Sequence, residues 1–345
     1  MGRRLLLAAV GLYLFAATAW VVAAGFVRDT GRVELLNVAC DPTRELWHDL
    51  NARFVARYAR ETGQEIAVRQ SHGGSASQAR AVIDGLDADV VTLGLWADTD
   101  AVRKAGRIDP GWENRLPNRS LPYVSTIVFV VRAGNPKGVK DWPDLARPDV
   151  GVVTPDPKTS GNGKWSFLAL WGSVTQRGGS DDDARKYVTG VFRNVKALDT
   201  SARAATASFA QRGQGDVHLT WENEARLEVQ EAKGKLEIVY PSRSVLAEPH
   251  VAIVDAVVRK KGTRAAAEAY MKFLYTEEAQ EAIARNHHRP TQEPVKSRTR
   301  DQFHELTMFP PVPALAPGWD AIQAKFFAEG AEFDRIQASI HGGRS

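Results

Sequence analysis

Cysteine is almost absent from this chain. Cys40 is the one cysteine among 345 residues, so no disulfide can form within the chain and no cysteine metal cluster or redox pair can be built. Its place at the end of an apolar run suits a small buried residue. Metal motifs are missing as well: there is no His-Glu-x-x-His, and the pair His287-His288, followed by Arg289-Pro290, has no acidic or third histidine partner at metal-site spacing. A surface loop is the expectation there, and no cofactor is called for. A Gly-x-Ser-x-Gly nucleophile elbow is likewise missing. The stretch Ser160-Gly-Asn-Gly-Lys164 does not make a phosphate loop, because Lys158 stands where its first glycine belongs and Trp165 where Ser or Thr should follow. Basic charge is barely in excess, with 45 Lys+Arg against 41 Asp+Glu and a formal net charge of +4, half of it from Arg3 and Arg4. No basic run is interleaved with aromatics, which argues against a nucleic-acid partner. Low-complexity segments and short repeats are also lacking.

What is present begins with a leader. Met1 to Arg4 is basic and residues 5–27 carry no charge, the pattern of an export signal. Ala17-Thr18-Ala19 and Val22-Ala23-Ala24 offer small-residue cleavage patterns. The run approaches the roughly 20 residues that span a bilayer, so an uncleaved N-terminal anchor is the second reading. Either way the remainder faces outward, in an extracytoplasmic or periplasmic setting. Its length suits two domains, and 43% hydrophobic with 25% charged residues is ordinary for a folded globular chain.

Strands and helices alternate along it. Val33–Cys40 reads as a buried strand, and Asp41-Pro42 as a helix start, with Asp as cap and Pro where its missing N–H costs nothing. Leu46, Leu50, Phe54 and Tyr58 then recur every four residues, and Gly63 ends that helix. A strand over Glu65–Arg69, a Gly/Ser loop over Ser71–Ser77, a helix over Gln78–Leu86 and a strand over Asp89–Leu93 follow. Ser125–Arg132 reads as a long strand crossing into a second lobe, where Val150–Thr154, Val195–Leu198, Val217–Trp221 and Leu236–Tyr240 are strands. Gly161–Gly178 runs through a loop into a helix bearing Trp165, Leu168 and Trp171. His250–Val258 reads as the strand that returns, followed by helices over Arg264–Arg285 and Pro317–Ile340. The alternation predicts parallel sheets in an α/β chain of two lobes, hinged by two strand crossovers. The division expected is 1–30 for the signal peptide or anchor, 31–124 with 247–345 for lobe 1 including the C-terminal helix, and 125–246 for lobe 2.

Ligands of parallel sheets bind beyond the carboxyl ends of the strands, which in a clamshell face the cleft. Four loops at such ends share one composition: Cys40–Thr43, Ser71–Ser75, Thr159–Gly163 and Thr200–Arg203. Each is small or hydroxylated and each precedes a helix, whose start offers unpaired N–H groups at the positive end of the macrodipole. Only His72 and Arg203 among these segments are basic. The composition predicts an anion held by neutral donors.

Several of these segments carry a family resemblance. Asp41–Leu46, Gln70–Ser75, Tyr123–Phe129, Gly134–Lys137, Thr154–Gly161 and Gly215–Ala225 resemble, in the same order, the periplasmic sulfate-binding proteins of ABC importers, over roughly residues 33 to 330. The resemblance implies a type II periplasmic-binding-protein clamshell that binds dehydrated sulfate between its lobes. By motif position Ser160 supplies a hydroxyl and Trp221 an indole N–H, with backbone donors from Asp41, Ser75, Gly161, Asn162 and Ala202. His72, Gly74 and Arg203 are expected behind these groups, with Arg203 paired locally. Asn162 stands where the family has a second glycine, and Cys40 where it has an aromatic. Asn tolerates left-handed backbone better than most residues, so its donor survives the change.

The function implied is capture of sulfate, or thiosulfate, for permease subunits driven by an ATP-binding subunit, by a monomer without enzymatic activity. Two other classes compete. A membrane-tethered oxyanion sensor follows if the leader stays uncleaved; an exported hydrolase or transferase of phosphate or sulfate esters needs a nucleophile with its base, or a metal cluster, and the sequence offers neither. A donor-only cleft would also reject hydrogen phosphate, whose own O–H would be left unpaired.

Overall fold

A computed structural model describes residues 32–342, so the expected leader lies outside the described residues. Within them no helix is long and apolar enough to cross a membrane. The chain opens with β1 (Val33–Cys40), whose Leu35, Val38, Ala39 and Cys40 are all buried. A 3-10 turn over Asp41–Thr43 leads into α1 (Arg44–Thr62), which buries Leu46, Trp47, Leu50, Phe54 and Tyr58 on one face. Gly63, in the left-handed region at φ 69°, closes α1 by donating to the Ala59 carbonyl. Then come β2 (Ile66–Gly73), α2 (Ser75–Ile83), β3 (Val90–Thr92) and α3 (Trp96–Lys104). The Gly/Ser loop expected after β2 is therefore short: β2 extends through Gly73 because it pairs with β1 along its whole length, Cys40 opposite Gly73.

The long strand expected over Ser125–Arg132 is interrupted. β4 (Tyr123–Val124) and β5 (Ile127–Arg132) flank Ser125, which forms an isolated antiparallel bridge with Ala247. That bridge lays the two crossovers side by side as the hinge, and Thr126 Oγ1 adds a bond to the Val245 carbonyl.

Lobe 2 continues with β6 (Val152–Pro155), α4 (Gly161–Thr175), α5 (Asp181–Arg193), β7 (Val195–Asp199) and α6 (Ala202–Thr206), which runs on as a π turn over Ala207–Gln211. Next are β8 (Val217–Trp221), α7 (Glu222–Glu231), β9 (Leu236–Val239) and β10 (Arg243–Val245). α4 is buried from Gly161 to Ser173 and forms the centre of this lobe, which is why its sequence is apolar all round and not striped.

The return is shorter than the sequence suggested. β11 (Val251–Ile253) has only three residues because its antiparallel neighbour β3 offers three. Asp255 then begins α8 (Asp255–Lys261), its carboxylate bound by Arg115 and Arg264. The single helix expected to Arg285 is two, α9 (Arg264–Phe273) and α10 (Glu277–Arg285), separated where Thr276 Oγ1 caps α10 by accepting from the Ala279 amide. β12 (Arg289–Pro290) pairs with β4, and His288 beside it is buried, not in a surface loop, edge-on to Tyr123 and with its ring pushed down to about 3 by burial.

The sheets are α/β in the manner expected. Lobe 1 has the order β11-β3-β1-β2, parallel except for β11; lobe 2 has β7-β6-β8-β5-β9, with β5 antiparallel to both neighbours. β13 (Thr307–Phe309) pairs with β10. The C-terminal segment beyond it departs from the sequence reading. It is not one helix but a short turn at Trp319–Ile322, a π turn at Gln323–Phe327, a break at Gly330 with φ 70°, and α11 (Glu332–His341). Nor does it join lobe 1. Phe326, Phe327, Phe333 and Ile336 pack with Phe167, Trp171 and Phe192 in the core of lobe 2, so the aromatic surface of α4 and α5 draws the C-terminus there.

Candidate functional site

Every turn singled out by composition lies at a strand's carboxyl end. β1 delivers Asp41, β2 delivers Gly74 and Ser75, β6 leads to Ser160, Gly161 and Asn162, β7 to Ser201 and Ala202, and β8 ends on Trp221. Gly74 precedes Ser75 as the cap residue of α2, and Ser160 caps α4, its Oγ accepting from the Gly163 amide at 3.4 Å. Since that bond uses a lone pair of Ser160, its hydroxyl proton is free to donate elsewhere. Ser201 caps α6 in the same way through the Ala204 amide. The first-turn N–H groups of these helices have no partner within the helix.

Close approaches bring the turns together across the lobes. A Cβ on Gly74 would stand 2.5 Å from the Thr159 carbonyl oxygen and 3.1 Å from that of Thr200, so the β2–α2 turn lies against both turns of lobe 2. A Cβ on Gly161 would lie 2.9 Å from Cβ of Ser75 and 3.0 Å from Leu95. On the other flank Asn223 Nδ2 donates to the Pro42 carbonyl at 2.6 Å, which ties the turn at Asp41 to the start of α7 just after Trp221. Cys40 and Leu95 of lobe 1 pack in the same apolar cluster as Trp221. The lobes are thus closed on one another. Ser75, Ser160, Gly161, Asn162, Ala202 and Trp221 are buried, and Asp41 is 5% exposed.

The indole nitrogen of Trp221 is the informative atom. It is buried, and no hydrogen-bond acceptor among the described residues serves it. A buried donor left unpaired costs on the order of 1–3 kcal/mol, so a strand end that presents one is poised for an external acceptor. Asn162 is turned the other way: Nδ2 donates to the Leu219 carbonyl at 3.3 Å, while Oδ1 has no partner.

Charges around the junction cancel in pairs. Asp41 is the first residue of its turn and not its cap, a position Cys40 occupies; its carboxylate meets Arg44 at 3.2 Å. Asp98 accepts from Ser75 Oγ at 2.6 Å and pairs with the Lys164 ammonium, both ends of that pair being almost fully buried. Ser75 Oγ also accepts from the Gly94 amide, whose own carbonyl takes the Trp165 indole at 2.7 Å. Glu222 is held by Arg289 at 2.7 Å. Arg203 is not paired locally as expected; it reaches across the cleft to Glu45 and lies 3.2 Å from Glu224. Burial pushes the Glu224 carboxyl up to about 8. His72 sits in β2 with Nδ1 unpartnered, its ring held below the usual range by burial and then by Arg44. Besides the paired charges, the Trp221 N–H and the acceptors Asn162 Oδ1, Asn223 Oδ1 and Glu224 Oε1 are without partners among the described residues.

Sequence reasoning missed Asp98, Lys164, Trp165 and Asn223, which fasten the lobes, and Glu224, which lies beside Arg203. Their partners are 66, 71 and 181 positions away for Lys164, Trp165 and Asn223, so no local spacing marks them. Among the described residues no three His, Cys, Asp or Glu side chains are grouped to hold a metal ion.

The bacterial extracellular solute-binding protein family model matches residues 36–289. The chain is 49% identical over 306 residues to a sulfate-binding protein of Salmonella typhimurium, covering 88% of this chain and 93% of that one. It is 45% identical over 304 residues to a thiosulfate-binding protein of Pseudomonas aeruginosa, covering 88% and 91%. Among solved structures, the sulfate-binding protein SubI from Mycobacterium tuberculosis superimposes with a TM-score of 0.77 at 32% identity, over 86% of this chain and 99% of that one.

Proposed function

The chain belongs to the bacterial extracellular solute-binding proteins, and on that premise we propose that it captures sulfate between its lobes for delivery to an ABC importer. The reading assigns the Ser160 hydroxyl, the Trp221 indole and the backbone N–H groups at Asp41, Ser75, Gly161, Asn162 and Ala202 as the donors. The observation that carries it is the buried, unpartnered Trp221 indole at a point where helix starts from both lobes meet. Sulfate needs donors only, and hydrogen bonds to a charged group contribute ~1.5–3 kcal/mol each, so about seven offset desolvation and leave micromolar or tighter binding. Hydrogen phosphate brings a proton that needs an acceptor. The seven assigned groups offer donors only and leave that proton unpaired among them, so phosphate is disfavoured.

Closure follows from the ligand's contacts with both lobes, since only the closed form joins all the donors. The closed form then docks on permease subunits served by an ATP-binding subunit, the protein acting from outside the cytoplasm as an exported monomer and performing no catalysis itself. Calorimetric titration of the leaderless protein with sulfate, thiosulfate and phosphate tests the proposal. Tight sulfate binding with phosphate at least about a hundredfold weaker is expected; equal affinity for phosphate, or no sulfate binding, overturns it. Thiosulfate is included because a 45% identical relative is named for it.

A further inference from the structure

A cavity whose lining includes none of the seven assigned donors lies between lobe 1 and the C-terminal segment. Its volume is about 470 Å³, and its walls come from Trp96, Leu121 and His250 of lobe 1 and from Val312, Pro317 and Trp319 of the segment that packs on lobe 2. One charged group in it stands apart. Glu248 lines the cavity, makes no ion pair and no side-chain hydrogen bond among the described residues, and is only partly exposed. The other charges are already matched: Arg119 pairs with Glu113 at 2.6 Å, and Asp320 with Lys104. His250, its ring pushed down to about 4 by burial, is neutral near pH 7 and brings no cation. Glu248 therefore brings a carboxylate without a direct ion pair to a space lined by two indoles, aliphatic side chains and the polar Asn118, Arg119 and Asp320, with Arg119 acting on it through space.

We propose that this cavity binds a small organic cation, of the alkylammonium class, with Glu248 as its counter-ion and Trp96 and Trp319 as its aromatic walls. A desolvated ammonium is attracted by the electron-rich faces of indoles as well as by a carboxylate, and the Arg119 guanidinium in the same lining is already paired with Glu113. Burial holds the Glu248 carboxyl above the usual range, and a bound cation would bring it back down. Because Trp96 belongs to lobe 1 and Trp319 is fixed to lobe 2 edge-on to Trp165, an occupant touches both lobes in their closed arrangement. By linkage it favours closure, and ligands at the two sites strengthen each other by the same factor.

The probe is tetramethylammonium chloride, titrated calorimetrically into the full leaderless protein at constant ionic strength, first without sulfate and then with it. The neutral isostere tert-butanol is the control. Saturable tetramethylammonium binding is expected, weaker by about tenfold or more in Glu248→Gln and lost in Glu248→Lys, with tert-butanol at least about tenfold weaker than the cation. Trp319→Phe, which keeps a ring, should retain part of the affinity. Absence of saturable binding, equal binding of tert-butanol, or an unchanged affinity in Glu248→Gln overturns the proposal. The arm without sulfate stands whether or not the anion site takes sulfate; far-ultraviolet circular dichroism of each variant confirms that it is folded.

Discussion

At the residue scale, two atoms of opposite kind decide the cleft: a donor that is present and a carbon that is absent. Trp221 offers an indole N–H with no partner among the described residues, so replacing it by Phe removes a donor while keeping an aromatic ring in the core. Trp221→Phe should weaken sulfate binding about tenfold to a hundredfold by calorimetry, because one charge-assisted bond is lost. The melting temperature without sulfate should change far less, since no internal hydrogen bond is broken. Gly74 acts by lacking a Cβ. Its φ of −58° is open to any residue, so a substitution there is not strained, yet a Cβ would press on the Thr159 and Thr200 carbonyls. Gly74→Ala should therefore weaken sulfate binding by about tenfold or more, and small-angle X-ray scattering should show sulfate-induced compaction in the native protein but none in the variant, while the lobes themselves stay folded.

At the element scale, the C-terminal helix α11 is a component of lobe 2. Phe333 and Ile336 lie in its core against Phe167 and Phe192. Phe333→Ala should lower stability by about 3–5 kcal/mol, the usual cost of emptying a buried aromatic site, read as a lower denaturant midpoint for lobe 2. Were α11 part of lobe 1, that change would leave the fluorescence of Trp165 and Trp171 in lobe 2 unaltered during the first loss of structure. The amphipathic pattern of Glu332–His341 was plain in the sequence; its address was not. An apolar face says that a helix must pack, and only the facing aromatics of α4 and α5 say where. The same limit split the helix expected over Arg264–Arg285, where the Thr276 cap outweighed a continuous periodic pattern.

At the scale of the whole molecule, Glu224 is buried beside Arg203, with its carboxyl raised to about 8 by desolvation. A group whose folded value lies above its unfolded one, near 4.5, adds stability that is complete at low pH and is lost as pH rises toward 8. Thermal melts from pH 5 to pH 9 should show this decline in the native protein and a flatter profile in Glu224→Gln. Comparing the two chains isolates Glu224 from His250 and His288, whose lowered values act in the opposite sense, costing stability as pH falls below 6.5.

Sequence alone determined the alternation of strands and helices, the two crossovers, and the small hydroxylated turns at strand ends, because each depends on neighbours a few positions apart. The individual donors proposed in those turns, from Asp41 to Trp221, came from the family resemblance. What the tertiary structure alone decided is which distant groups answer them: Asp98 with Lys164, Arg203 with Glu45, Asn223 with the Pro42 carbonyl, and the seat of the C-terminal helix. The reason is physical. Local pattern follows from backbone geometry and side-chain period, whereas the pairing of buried charges and the docking of an apolar face depend on surfaces that exist only once both lobes have folded and met.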